Sequence, residues 1–259
     1  MEYPKTALVA NGLLALLETG STNQDLLALA ESKNHPEFFT LITEFQTAGR
    51  GRLDRKWQAS PGSSVMASVL VRPNFNQLEG IGWLSLLMAE AIKTALASLG
   101  LDAKIKWPND VLVNGLKISG VLAEANKDLS AVVVGFGINV NQSEKELPTS
   151  SATSLFTAGA SVLYRDNLLA QTLRSFKQLY LDLVEASGDA VASGLRARII
   201  ESSATIGEVV EVSFPDGTSA VGEAIDIDEG GRLQVLTSAK TLTVSAGDVL
   251  HLRTSKRED

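Results

Sequence analysis

Apolar and polar positions along this chain repeat on two different periods, and the switches between them mark out its elements. Over residues 81–99, Leu84, Leu87, Met88, Ala91, Ile92 and Ala95 recur every three or four positions. That is the spacing of one helical face, and Gly100 stands where such a helix stops. The same period returns over 166–186 and again over 189–200. Near the start, Thr19 to Asn23 offer several N-cap side chains ahead of Leu26, Leu27 and Leu29, which predicts a helix from about Asn23 to Ser32. Short runs rich in β-branched and aromatic residues read as strands instead: 38–45, 64–71 (halted by Pro73), 103–106, 111–113, 118–124 and 131–138. Asn114-Gly115 between two of these is a hairpin pair. Helices and hairpin-linked strands that segregate in this way predict an α+β fold with a mixed sheet, not a doubly wound α/β sheet.

After Ile200 the helical period disappears. Strands are predicted at 208–214, 220–227, 232–236, 241–244 and 249–252, with turns at Asp216-Gly217, Glu229-Gly230-Gly231 and Gly247-Asp248. Five short strands at this spacing suit a small barrel. The division expected is therefore 1–200 and 201–259, within the size range of one large domain and a small appendage.

Composition narrows the chemistry. There is no cysteine among the 259 residues, which removes disulfides, thiolate catalysis and cysteine-ligated metals. No apolar run is long enough to span a membrane, and the first residues lack the basic-then-apolar pattern of a secretory signal, so a cytoplasmic location is expected. A net charge of −7 argues against general nucleic-acid binding. Against that acidic background, Gln46-Thr47-Ala48-Gly49-Arg50-Gly51-Arg52-Leu53-Asp54-Arg55-Lys56-Trp57 concentrates cations in one place. Glycine lets a backbone turn tightly or approach a ligand closely, and arginine meets phosphate or carboxylate oxygens two at a time. The segment reads as a loop folded around a small anion, or more plainly as a basic surface loop.

What separates the two is a second cluster, Lys106-Trp107-Pro108-Asn109-Asp110, then Lys117 three residues before Gly120, and then Gly135-Phe136-Gly137-Ile138-Asn139. With Ser21-Thr22-Asn23 upstream, five blocks stand in one order over about half the chain. In these blocks the sequence resembles the biotin protein ligases. One departure from that pattern is Asp54, where the family usually has glycine. The glycine pair at 135 and 137 is no dinucleotide fingerprint, since the third glycine and a following helix are missing. No P-loop is present either.

The resemblance implies a class II synthetase-like catalytic domain followed by an SH3-like C-terminal barrel. It implies that ATP, with Mg²⁺, activates biotin as biotinyl-5′-AMP, and that the biotinyl group then passes to a lysine of a biotin carboxyl carrier protein, often that of acetyl-CoA carboxylase. Lys117 and Arg50 are the catalytic candidates. Biotin would meet Ser21, Thr22, Asn23, Gln46, Arg50, Gly51, Arg52 and Lys117. The nucleotide would meet Arg52, Arg55, Trp57, Asn109 and Asn139. Asp110 is a candidate to orient Mg²⁺ through water or, equally, to cap or form a salt bridge; no direct metal ligand is expected. The plain alternatives are an edge-strand role for Lys117, helix capping for Ser21 to Asn23, and turn-packing for Trp107 and Pro108. With only about twenty residues before Ser21, the form expected is one without a DNA-binding domain, as a monomer or weak homodimer. A lipoate or octanoyl ligase or transferase is the alternative enzyme, and a non-enzymic biotin-binding protein the alternative outside catalysis.

Overall fold

The computed structural model describes residues 2–32, 34–53, 55–73, 79–161, 163–214, 217–245 and 248–251. The expected turn residues Asp216 and Gly247, the strand end Leu252 and the variant loop residue Asp54 lie outside these. Six helices are described: α1 (Pro4–Ala7), α2 (Thr22–Glu31), α3 (Glu79–Gly82), α4 (Leu84–Ala97), α5 (Arg165–Glu185) and α6 (Leu195–Glu201). Seven strands build a large sheet: β1 (Leu13–Leu16), β2 (Thr40–Thr43), β3 (Ser64–Val71), β4 (Ala103–Lys106), β5 (Asp110–Val113), β6 (Leu116–Ala125) and β7 (Val132–Asn139). Their order is β1-β2-β3-β7-β6-β5-β4. β1 runs parallel to β2 and every other ladder is antiparallel, so the sheet is mixed. The β5–β6 turn has φ of 52° at Asn114 and 76° at Gly115. Two left-handed central residues match the right-handed strand twist, which is why Asn-Gly serves there.

Alternation along β3 and β7 decides what covers each face. Val65, Ala67, Val69 and Val71 of β3, with Val134, Phe136 and Ile138 of β7, pack against Leu84, Leu87, Met88 and Ile92 of α4 and Leu169, Leu173 and Phe176 of α5. Each aliphatic side chain buried there contributes about 2 kcal/mol. On the opposite face a smaller cluster joins Leu41, Leu70 and Val133 to Leu26 and Ala30 of α2. α2 covers only part of that face. The functional pocket takes the remainder.

The C-terminal region forms a second, antiparallel sheet of β8 (Val209–Ser213), β9 (Ser219–Ile227), β10 (Leu233–Leu236), β11 (Thr241–Val244) and β12 (Asp248–His251), ordered β11-β10-β9-β8-β12. Among the described residues no ladder joins β11 to β12, so the expected closed barrel is an open five-stranded sheet. It is held to the rest of the chain by its β9–β10 turn and by the end of β9. Trp83 Nε1 donates to the Glu229 carbonyl at 2.6 Å and Trp107 Nε1 to the Gly231 carbonyl at 2.9 Å. Arg196 pairs with Asp226 and donates to the Ile227 carbonyl at 2.7 Å.

Several expected boundaries move, each for a local reason. The strand expected over 38–45 is confined to Thr40–Thr43, since Phe38 has a φ of 61°. The helix expected over 189–200 begins only at Leu195, after Gly194 at φ 75°. Before it, Asp189 Oδ1 accepts from the amides of Val191 and Ala192 and folds that stretch into a turn instead. The helix expected over 81–99 is two pieces, α3 and α4. α1 and β1, four residues each, had no periodic signature to announce them.

Candidate functional site

The pocket is built on a floor of glycines. Where α2 does not reach, the sheet face that β3 and β7 share with β6 and β5 carries Ser68–Gly135–Leu122 in one cross-strand row and Met66–Gly137–Gly120–Asp110 in the next. Each glycine holds the place of one side chain above it. A Cβ on Gly135 would collide with the Asn23 amide, and one on Gly137 with the Trp57 ring. At Gly120 a Cβ would lie 3.1 Å from both Cε and Nζ of Lys117. The two glycine motifs thus make room for a polar amide, an indole and an ammonium on one surface.

Lys117 reaches that surface through a bulge. Residues three apart in a regular strand point to opposite faces, yet Lys117 lies over Gly120. Register slips between Val111–Ser119 and Leu112–Lys117, leaving Ile118 as the extra residue, and this restores the parity. The Lys117 backbone is also fixed from the other side: its amide donates to Ser151 and its carbonyl accepts from Thr153, both at 2.8 Å. Lys117 is therefore interior to the sheet, which overturns the edge-strand alternative. Its Nζ sits 2.6 Å from Asp110 Oδ1, so of the roles open to Asp110 the salt bridge is the one formed.

The neutral set gathers at the start of α2. Ser21 is the N-cap but makes no side-chain capping bond. Instead Gln46 Oε1 accepts from the Thr22 amide at 2.9 Å and from the Thr22 hydroxyl at 3.2 Å. Parallel pairing of Thr19 with Gln46 brings them together. Asn23, buried against Gly135, donates through Nδ2 to the Leu122 carbonyl at 3.0 Å and to Glu124 Oε2 at 2.8 Å, and accepts from Ser68 Oγ at 2.7 Å. The Ser68 hydroxyl also lies 2.8 Å from Thr22 Oγ1.

The arginine segment folds over this set as a hairpin. Arg50 bridges to Lys56, the Trp57 amide donates to the Gly49 carbonyl at 3.0 Å, and the Gly51 amide to the Arg55 carbonyl at 2.7 Å. Among the described residues of the hairpin the left-handed one is Leu53, at φ 51°, not either glycine. Gly49 is needed for a different reason: a Cβ there would fall 2.5 Å from the Trp57 carbonyl oxygen across the hairpin. Arg50 Nη1 lies 3.0 Å from Glu124 Oε1.

Together Ser21, Thr22, Asn23, Gln46, Arg50, Gly51, Arg52, Arg55, Trp57, Asn109, Asp110 and Lys117 line one cavity of about 140 Å³. Asn139 is the expected site residue that is not brought to it. It is buried, its amide donates to the Thr153 carbonyl at 2.9 Å, and its Oδ1 accepts from Gln142 at 3.2 Å. Those bonds brace the segment that clamps Lys117. Asn109 lines the cavity while donating to the Val121 carbonyl at 2.6 Å. Trp107 is buried and points at the C-terminal sheet, in keeping with a packing role. Ser68 and Glu124 were missed: a serine within a buried strand and a lone glutamate near a strand end carry no signal of their own. Among the described residues no three His, Cys, Asp or Glu side chains gather as a metal site. The carboxylate that lines the cavity is Asp110, so a Mg²⁺ ion there would take most of its ligands from phosphates and water.

A polar pocket in which Arg50, Arg52 and Lys117 face a row of neutral donors and acceptors is suited to a ligand with one anionic end and one amide-like end. The relatives agree with that chemistry. Residues 18–141 match the biotin/lipoate A/B protein ligase family, and residues 205–252 the biotin protein ligase C-terminal domain. The chain is 40% identical over 240 residues to the biotin–[acetyl-CoA-carboxylase] ligase of Mycobacterium tuberculosis, across 91% of this chain and 87% of that one. It is 30% identical over 263 residues to the bifunctional ligase/repressor BirA of Bacillus subtilis, across 95% of this chain and 75% of the relative. The solved biotin protein ligase of Aquifex aeolicus in complex with biotin and ATP superposes with a TM-score of 0.75 at 28% identity, covering 94% of this chain and 100% of that one. The chain belongs to the biotin protein ligase family.

Proposed function

We infer that this chain is an ATP-dependent biotin protein ligase that makes biotinyl-5′-AMP and passes the biotinyl group to a lysine of a carrier protein. The observation that carries this is the convergence of Arg50, Arg52 and Lys117 with the Ser21–Asn23 and Gln46 set in one cavity. The biotin carboxylate attacks the α-phosphorus of ATP and pyrophosphate leaves. The acceptor amine then attacks the acyl carbon and AMP leaves. Neither step requires an enzyme nucleophile, in keeping with a chain free of cysteine. The difficulty is bringing two anions together, and preorganised cations relieve it.

In this reading Arg50, Arg52 and Lys117 gather the carboxylate and the phosphate. Ser21, Thr22, Asn23 and Gln46 satisfy the two N–H groups and the carbonyl of the ureido ring, which selects against acids lacking that ring. Arg55, Trp57 and Asn109 receive the nucleotide, and Asn139 acts at one remove by bracing residues 151–153. Mg²⁺, arriving on the nucleotide, would offset phosphate charge near Asp110. The acceptor proposed is the biotin carboxyl carrier domain of acetyl-CoA carboxylase, after the activity named for the Mycobacterium tuberculosis relative. A cytoplasmic site of action follows from that acceptor; among the described residues no helix is long and apolar enough to cross a membrane. Residues 1–200 act as the catalytic unit and 201–259 as an SH3-like module docked through Trp83 and Trp107. Incubation with biotin, ATP, Mg²⁺ and an apo-carrier domain, followed by mass measurement of the carrier, tests the reading. One added biotinyl group supports it. No added mass, or lipoyl modification when lipoate replaces biotin in the mixture, overturns it.

A further inference from the structure

The cavity's two halves, the neutral set and the cations, are joined by a carboxylate that neither half includes. Glu124 Oε1 lies 3.0 Å from Arg50 Nη1, and its other oxygen accepts from Asn23 Nδ2 at 2.8 Å. Asn23 is tied through Ser68 to Thr22, and Thr22 to Gln46. One hydrogen-bonded chain therefore runs from Gln46 to Arg50, and Glu124 is its last link. The Glu124 side chain is 20% exposed, against 45% for Arg50. It is the more fixed partner, seated on β6 where that strand pairs with Val133 of β7, while Arg50 rides on the hairpin. A guanidinium that gives one nitrogen to Glu124 keeps a two-donor edge for a second anion.

We propose that Glu124 is a positioning residue for the ligase reaction. It aims Arg50 at the biotin carboxylate and couples that aim to the side chains that hold the ureido ring. The idea rests on the ligase reading above. It also explains why Asn23 sits so deep over Gly135. The amide that would recognise the ring also holds the carboxylate that holds the arginine.

Two ligands and two variants separate this from ordinary structural support. Biotinol keeps the ring and chain of biotin but has no carboxylate. In Glu124→Gln the amide oxygen can still accept from Asn23, while the charge that fixes Arg50 is gone. Calorimetric titration should show biotin binding about tenfold more weakly to this variant, the scale of one lost charge-assisted hydrogen bond, with biotinol within about twofold of wild type. Glu124→Ala, which also frees Asn23, should weaken both ligands. In an Arg50→Ala background Glu124→Gln should have no further effect on biotin.

Equal weakening of both ligands by Glu124→Gln, or no change in either, overturns the proposal. So does tighter biotin binding, which would make Glu124 a competitor for Arg50. Wild-type protein that binds neither ligand would instead defeat the ligase reading itself.

Discussion

The two faces of the seven-stranded sheet come from the same strands, read at alternate positions, yet they obey different rules. One face presents Val65, Ala67, Val69, Val134, Phe136 and Ile138 to α4 and α5. The other presents Ser68, Gly135, Gly137 and Gly120 beneath Asn23, Trp57 and Lys117. On the first face volume is filled by the strands themselves. On the second the strands withdraw their side chains, and residues from α2, the hairpin and the bulged end of β6 take the space. A glycine in a strand forgoes packing and costs backbone entropy. Here that cost brings three functional groups within reach of the backbone. The packed face sets how stable the protein is, and the glycine face sets what it binds.

That separation can be broken deliberately. The largest effect is expected from Lys117→Ala on the glycine face. Removing a cation that meets charge in the transition state should lower biotin-dependent pyrophosphate exchange by about 10²–10³-fold, with the unfolding midpoint little changed. Exchange at near wild-type rate would remove Lys117 from the chemistry.

A pair of substitutions sharpens the contrast further. Gly137→Ala must displace the Trp57 ring and should raise the KM for ATP about tenfold, since one aromatic stacking contact is worth about 1–1.5 kcal/mol. One position back along β7, Phe136 faces the other way. Phe136→Leu should cost about 1–2 kcal/mol in denaturant unfolding and leave the KM values unchanged. If both variants altered stability and KM alike, the two faces would not be separable.

The smallest effect belongs to Glu90, a carboxylate buried in α4 on the packed side. Burial pushes its pKa up, against the opposing pull of Lys93 and hydrogen bonds from Lys93 and Ser202. A carboxyl whose folded pKa is raised favours the fold most below its unfolded pKa, and loses that contribution as pH rises through the folded value. Glu90→Gln should therefore raise the thermal midpoint slightly at pH 7.5, with the gain shrinking at pH 4.5. A gain that grew on acidification would contradict this origin.

How far the sequence speaks also differs between the faces. The packed face was legible because its residues keep strict periods: α4, α5, β3 and β7 fall within a residue or two of where Leu, Val and Ile spacing places them, α4 aside at its start. The glycine face was legible only as motifs. Gly135, Gly137 and Gly120 stand out in the sequence, but a glycine's spacing cannot reveal which side chain will lie above it. Asn139 shows the risk: it stands at the end of a suggestive motif, yet its amide is bound to Thr153 and Gln142. Glu124 shows the converse, since its importance comes only from contacts with Arg50 and Asn23 that join strand, helix and hairpin. The β-bulge at Ile118 was likewise invisible, because nothing in Lys-Ile-Ser-Gly announces a change of parity.

The placing of the indoles gives the protein its own optical reporters. Of its three tryptophans, Trp57 lies over Gly137 in the cavity, while Trp83 and Trp107 each hold a carbonyl of the β9–β10 turn. Replacing Trp57 with phenylalanine leaves an emission spectrum that reports only whether the C-terminal sheet is docked. Replacing Trp83 and Trp107 leaves one that reports only on the cavity. Ligand binding and module undocking could then be followed as separate signals in the same unlabelled molecule, and their order in time read directly from stopped-flow fluorescence.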